Sequence, residues 1–380
     1  MMGLDKWREE IDQIDTDMVE LFSKRMLTAA KIAETKREKD LPVFDRQRES
    51  KVMDKVIDMA DEELAMYVKM LYSTIFDLSK NYQAKILDRD TNLKEQLEAA
   101  IKEPKVDFSK KAAVACQGVE GAYAGQAADK IFPLGSMMYF ENFSSVFQAV
   151  EQGLCKYGVL PIENSSAGSV TEVYELMNKN NFYIVRTLKL HIHHALLTKK
   201  NVDMAKITEI VSHEQALSQC SEFLRQHPKV KVTVFENTAS AAKYVAESDR
   251  DDIAAISSLK CAHLYGLHIT ERGVQNDENN CTRFICISKN LEIPEGANRI
   301  SLMLSVSHRP GALHDMLGKI VSMGLNLSKL ESRPIPGQDF EFRFYFDIDG
   351  SVYNKDVQIL LAEMERSAEE FAFLGCYVEG

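Results

Sequence analysis

No Cys-x-x-Cys pair occurs among the seven cysteines, which are odd in number and scattered. That excludes a disulfide framework and a cysteine zinc site, and it fits reduced thiols in the cytoplasm. No apolar run approaches the length of a membrane span, and the start "MMGLDKWREEIDQID" lacks the pattern of a secretory signal. Positive charge is also short. A formal net charge of −11 argues against nucleic acid or an anionic membrane as the main partner. A few buried arginines can still act locally on a small anion. A dinucleotide-type Gly-x-Gly-x-x-Gly turn is missing, as are repeats and low-complexity tracts.

What remains is an ordinary composition, 45% hydrophobic and 27% charged, in 380 residues, enough for two or three domains. No glycine lies between Gly3 and Gly118, and only Pro42 precedes Pro104, so residues 1–100 read as helix broken once at "KDLPVFD". After a linker at "AAIKEPKVDFSKK", residues 110–290 alternate β-rich runs ("KAAVAC", "YGVLPI", "ITEIVS", "DIAAIS") with helical patterns. That alternation predicts α/β layers with a largely parallel sheet. Residues 298–380 read strand, helix, strand, strand, helix, strand, the α+β ferredoxin-like order.

In the first segment, Ile11, Ile14, Met18, Phe22, Ala29 and Ile32 form an apolar stripe at helical spacing. Arg25 and Lys36 fall on the same stripe, about 20° apart in phase. Either they snorkel to solvent or they face an anionic guest. Asp45, Arg48 and Glu49 open a second helix, and Ser79 and Gln83 lie one turn apart on a third. A compact dianion suits this set, and charge stabilisation suits it better than nucleophilic attack.

The segment resembles the all-helical chorismate mutases, whose pattern is met at Arg8, Arg25, Lys36, Asp45, Arg48, Glu49, Ser79 and Gln83. The resemblance implies that Arg8 and Arg25 hold the two carboxylates of chorismate, while Lys36 and Gln83 donate to its ether oxygen. It further implies that Glu49 and the backbone near Asp45 hold the hydroxyl, with Arg48 and Ser79 completing the pocket. Arg8 and Arg25 are 17 residues apart in sequence, about 26 Å along one helix, more than a substrate of about 10 Å can span. Given the implied roles, a two-fold dimer in which each first helix lends Arg8 to its partner is expected.

In the second segment, "YGVLPIENSSAGSV" ends a strand in polar residues, as do "IVSHEQALSQC" and "FENTASAA"; "NNCTRFICIS" places a hydroxyl and a guanidinium together where a strand starts. Each reads by itself as a cap or turn; together they mark the strand ends where α/β sheets bind ligands. With "GVEGAY" they resemble the prephenate dehydratases, implying a two-lobed domain with substrate in the cleft. Thr282 would then donate the proton to the departing hydroxyl. Asn164, Ser165, Ser212 and Gln219 would position the substrate, and Arg283 would meet a carboxylate. Two departures stand out. "GVEG" lacks the family's usual proline, and Arg186-Thr187 replaces a common Gly-Glu pair, leaving the cleft's carboxylate unassigned. In "HIHH", His191 and His193 share a strand face and raise the question of metal, but the family uses none and no carboxylate is adjacent.

In the third segment, "SHRPGALHDML" and "ESRPIPG" suit turns by themselves. They also resemble the phenylalanine-binding motifs of ACT regulatory domains. Gly311, Ala312 and Leu313 would form an apolar pocket, and Glu331, Ser332 and Arg333 an adjoining subunit edge. The combined resemblance is to the bifunctional chorismate mutase–prephenate dehydratases. It implies chorismate, prephenate and L-phenylalanine as small-molecule partners, a homodimer or larger homo-oligomer, a cytoplasmic location, and no cofactor or metal. A catalytically dead two-lobed sensor is the main rival, and a fusion to prephenate dehydrogenase would need the missing glycine-rich turn.

Overall fold

The computed structural model describes all residues except 1, 40–45, 88–90, 104–105 and 336–340. The chain divides into two compact units, 1–102 with 300–373, and 103–299 with 374–380, so the first sequence segment and most of the last share one unit.

The first unit opens with helices α1 (Met2–Glu38), α2 (Arg46–Asp58), α3 (Ala65–Leu87) and α4 (Asn92–Lys102). α3 packs against both α1 and α2, with Phe76, Ser79 and Gln83 buried on one face at spacings of three and four. α4 buries Leu93 and Leu97, also four apart; each such leucine contributes about 1.5–3 kcal/mol. The α1 stripe behaves differently along its length. Ala29 is buried, whereas Ile11, Ile14, Met18 and Ile32 are each about half exposed in the single chain. Its amphipathic period therefore marks a face that α1's own chain leaves uncovered.

The second unit starts with β1 (Ala113–Gln117), α5 (Tyr123–Ile131), β2 (Ser136–Phe140), α6 (Phe143–Glu151), β3 (Tyr157–Asn164), β4 (Gly168–Ser169), α7 (Thr171–Lys179) and β5 (Tyr183–His191). A second lobe follows: β6 (Ala195–Thr198), β7 (Glu209–His213), α8 (Glu214–Gln219), α9 (Ser221–Gln226), β8 (Lys231–Phe235), α10 (Thr238–Glu247), β9 (Ile253–Ser257), α11 (Leu259–Tyr265) and β10 (His268–Arg272). The chain returns to the first lobe as β11 (Cys281–Ser288). The sheets are mixed, not largely parallel. β1 is parallel to β2 and β3, but β11 runs antiparallel to both β3 and β5. The second sheet, ordered β10-β6-β9-β7-β8, is parallel around β7 and antiparallel around β6. The reason is the double crossing. β5 leaves the first lobe and β11 re-enters it beside β5, so these neighbours must point in opposite directions.

The remaining elements are β12 (Arg299–Ser305), α12 (Ala312–Ser322), β13 (Asn326–Pro334), β14 (Phe342–Asp349), α13 (Lys355–Ser367) and β15 (Glu370–Glu379). Their strand order is β13-β14-β12-β15, the ferredoxin-like arrangement, with β13 at the edge, and β15 from Leu374 onward belongs to the second unit. α12 and α13 pack against each other and against α3.

Candidate functional site

α1, α2 and α3 enclose a cavity of about 570 Å³ lined by Arg25, Lys36, Arg48, Glu49, Ser79 and Gln83 among apolar Leu21, Ala29, Ile32, Val52 and Phe76. Six predicted residues thus converge. The Arg25 guanidinium lies over the Phe76 ring, 5.7 Å from its centroid, and its Nη1 is buried with no hydrogen-bond partner. Gln83 donates from Nε2 to Ser79 Oγ at 3.4 Å, leaving Oε1 buried and unpartnered. Leaving such atoms unpaired costs about 1–3 kcal/mol each, which a polar guest would recover. Burial raises the Glu49 pKa above the ordinary carboxylate value, while Lys80 pulls it down and Asp77 and Asp315 push it up. Lys80 also lines this cavity and was not foreseen from the sequence. Arg8 lies elsewhere on α1, exposed and paired with Asp5 at 3.5 Å, and does not line the cavity. Asp45 falls outside the described residues.

The two lobes of the second unit flank a cavity of about 420 Å³ lined by Asn164, Gln219 and Thr282, with Tyr123, His194, Glu236 and Phe284. Thr282 and Asn164 are directly opposed across the β3–β11 ladder. The direction of the hydrogen bonds here follows from the backbone. Ser166 and Ala167 N–H groups both donate to Asn164 Oδ1 at 3.0 Å, so that oxygen is the acceptor and Nδ2 the donor. Nδ2 therefore donates to Thr282 Oγ1 at 2.9 Å and to Asn280 Oδ1 at 2.8 Å. Gln219 Nε2 donates to Asn164 Oδ1 at 3.4 Å, which turns Gln219 Oε1 toward His194 Nε2 at 3.1 Å. His194 must carry its proton on Nε2. Thr282, accepting from Asn164, keeps its own proton for the cavity.

His194 is buried, and desolvation lowers its pKa, favouring the neutral ring. Tyr123 donates its hydroxyl proton to the His193 carbonyl at 2.7 Å and stands 3.5 Å from His194 Nδ1. The "HIHH" run contains this histidine, but strand alternation in the sequence singles out His191 and His193 instead. His191 and His193 are exposed and stack at 6.1 Å on each other. Among the described residues, no group of three or more His, Cys, Asp and Glu side chains is placed to hold a metal. Glu236 brings a carboxylate to the cavity lining, whereas Thr187 is fully buried in the sheet.

Three predicted residues do not line this cavity. Ser165 accepts from Cys281 N–H at 2.9 Å and donates its own N–H to Cys281 O, bracing the strand start beside Thr282. Ser212 is fully buried and donates to Ile256 O at 2.6 Å, joining β7 to β9. Arg283 is a correction to the expected pairing of hydroxyl and guanidinium. Successive strand residues face opposite ways, and Arg283 donates to Tyr377 Oη at 2.8 Å and lies 4.0 Å from Glu163.

In the third segment, Ala312 and Leu313 line a cavity of about 380 Å³ with His308, Phe342 and Phe344. Gly311 caps α12 at φ 84°, a left-handed conformation that suits glycine. Glu331, Ser332 and Arg333 do not line the cavity but sit on edge strand β13, where Ser332 pairs with Phe344 and Glu331 bonds Lys329 and Arg333.

Residues 7–84 match the family model for chorismate mutase type II, and residues 114–292 that for prephenate dehydratase. A bifunctional chorismate mutase/prephenate dehydratase of Enterobacter agglomerans is 31% identical over 97% of this chain and 94% of its own. An arogenate dehydratase/prephenate dehydratase of Arabidopsis thaliana is 37% identical over 70% of this chain and 72% of its own. The solved structure of a prephenate dehydratase from Arthrobacter aurescens, in complex with L-Phe, is similar with a TM-score of 0.64 and 27% identity. That likeness covers 70% of this chain and 89% of the other.

Proposed function

The chain belongs to the bifunctional chorismate mutase/prephenate dehydratases, and from that premise we propose how its residues divide the work. The helical cavity takes chorismate. Arg25 meets one carboxylate, Lys36 and Gln83 donate to the ether oxygen, Glu49 accepts from the hydroxyl, and Arg48 and Ser79 complete the walls. The rearrangement is intramolecular, so holding the reactive conformer and stabilising charge on oxygen are the levers available. Arg8 serves a partner's cavity across a homodimer. The half-exposed α1 stripe, which a second copy would cover, supports this.

The cleft of the second unit takes prephenate. Thr282 protonates the departing ring hydroxyl, water and carbon dioxide leave together, and the product is phenylpyruvate. Aromatisation drives the step, so a weak acid suffices if it is well placed. The observation that carries this reading is the Asn164-to-Thr282 hydrogen bond, whose fixed direction leaves the threonine a donor. Gln219 and its neighbour His194 hold Asn164, and Glu236 supplies the cleft carboxylate. Ser165 and Ser212 position the site from behind, and Arg283 acts through the adjoining sheet and not by direct contact.

Residues 298–380 form an ACT-type sensor of L-phenylalanine around Gly311, Ala312 and Leu313, with Glu331, Ser332 and Arg333 at a subunit edge. The position of β13 at the end of its sheet supports that placement. All seven cysteines are free, in keeping with a cytoplasmic location, and no described helix is long and apolar enough to cross a membrane. The deciding experiment feeds chorismate and follows phenylpyruvate with and without L-phenylalanine. Failure to consume chorismate would support the rival of a sensor without catalysis.

A further inference from the structure

Lys80 stands in the wall between two cavities of the first unit. One is the α1–α3 cavity; the other, about 550 Å³, lies between α3 and the C-terminal elements and is lined by Asp77, Asn81, Asp315, Met316 and Lys319. The Lys80 ammonium is 2.8 Å from Asp77 Oδ1 and 3.8 Å from Glu49 Oε2, and its side chain is only 20% exposed. Coulomb attraction falls with distance, so Asp77 holds the ammonium more strongly than Glu49 does.

Asp77 in turn is walled by α12. A Cβ placed on Gly318 would stand 3.3 Å from Asp77 Oδ2, tighter than an ordinary contact. One helical turn further along both helices, Asn81 hydrogen-bonds Ser322. These two contacts run in register along the α3–α12 crossing, so the place of α12 sets the place of the Asp77 carboxylate. α12 also begins at Gly311–Ala312, the proposed effector motif.

We propose that Lys80 is a positioning residue for Glu49 in the mutase site, and that α12 governs its hold on Glu49 through Asp77. The proposal rests on reading the α1–α3 cavity as that site. When α12 presses Asp77 toward Lys80, the ammonium is drawn from Glu49 and the carboxylate that meets the substrate hydroxyl loses its anchor. When Asp77 is withdrawn, Lys80 serves Glu49. The C-terminal segment would in this way reach mutase turnover directly, with no step through the dehydratase. The electrostatics agree: Lys80 is the largest influence favouring the ionised form of Glu49, and Asp315 of α12 is among those opposing it.

The test uses the full-length protein. Lys80→Gln should lower kcat/KM for chorismate roughly tenfold, the effect of removing one charged partner, while Lys80→Arg retains most of the activity. In a Glu49→Gln background, Lys80→Gln should add almost nothing, because the two act as one unit. Gly318→Ala lies outside the mutase cavity and should shift kcat/KM for chorismate several-fold by displacing Asp77, with turnover of supplied prephenate unchanged. Circular dichroism checks that each variant folds. Equal losses from Lys80→Gln in both backgrounds would show that it does not act through Glu49. Parental chorismate turnover in Gly318→Ala would show that α12 does not govern it. Either result overturns the proposal. Lys36→Ala tests the underlying reading separately: undiminished mutase activity there removes the cavity itself from the chemistry.

Discussion

Asn164 and Thr282 face each other across two antiparallel strands, and Asn164 Nδ2 donates to Thr282 Oγ1 at 2.9 Å. The bond cannot run the other way, because Asn164 Oδ1 already accepts from the backbone of Ser166 and Ala167. A hydroxyl that accepts from an amide is a better proton donor on its other side. Thr282→Val keeps the β-branched shape and removes only that donor. Dehydratase turnover should fall by about 10²–10⁴-fold, with mutase activity intact and prephenate accumulating. Near-parental phenylpyruvate formation would return Thr282 to the role of a strand-start cap.

His194 gives a second handle on the same chain of bonds. Its Nε2 proton holds Gln219 Oε1, a task a glutamine amide can mimic and a leucine cannot. His194→Leu should therefore lose dehydratase kcat with little change in KM, and His194→Gln should recover part of it. Burial lowers the His194 pKa below 6.5. The unfolded chain then binds the proton more readily, so this contribution to stability is complete above the unfolded value and is lost as pH falls through 6.5 toward the folded one. Melting curves over a pH series should show the parent losing stability below that point faster than His194→Gln. Parallel curves would mean that the ring is not held neutral.

Arg8 and Arg25 belong to one helix but not to one cavity. Arg8→Ala and Arg25→Ala chains, each deficient in mutase activity, should complement when mixed. A heterodimer has one cavity with both arginines and one with neither. Subunit exchange without any recovery would rule out a shared site.

Gly311 sits at φ 84°, and a Cβ there would meet no atom within 4 Å. Gly311→Ala should thus act through backbone strain of about 1 kcal/mol, not through crowding. It should raise the L-phenylalanine concentration needed for half-inhibition several-fold while basal dehydratase activity stays near parental. Calorimetric titration alongside turnover separates binding from coupling. Unchanged binding in this variant, and in a chain truncated before residue 298, would place the sensor elsewhere.

The sequence by itself determined the order and kind of the segments, because glycine scarcity, helical period and β-rich alternation are local properties of the chain. It also determined which side chains were worth watching. Arg25, Lys36, Glu49, Ser79 and Gln83 meet in one cavity, and Asn164, Gln219 and Thr282 in another. Only the tertiary structure decided which face each residue takes. Arg283 turns from the cleft because its strand alternates about Thr282, and a register shift follows at Phe284. Ser212 is spent on joining two strands, and His194, not His191 or His193, turns inward. Lys80 gained its place between Glu49 and Asp77 because α2 packs onto α3, and α12, more than two hundred residues away in sequence, closes over Asp77. Local pattern fixes what a side chain can do; long-range packing selects the groups it meets, and no period in the sequence records that choice.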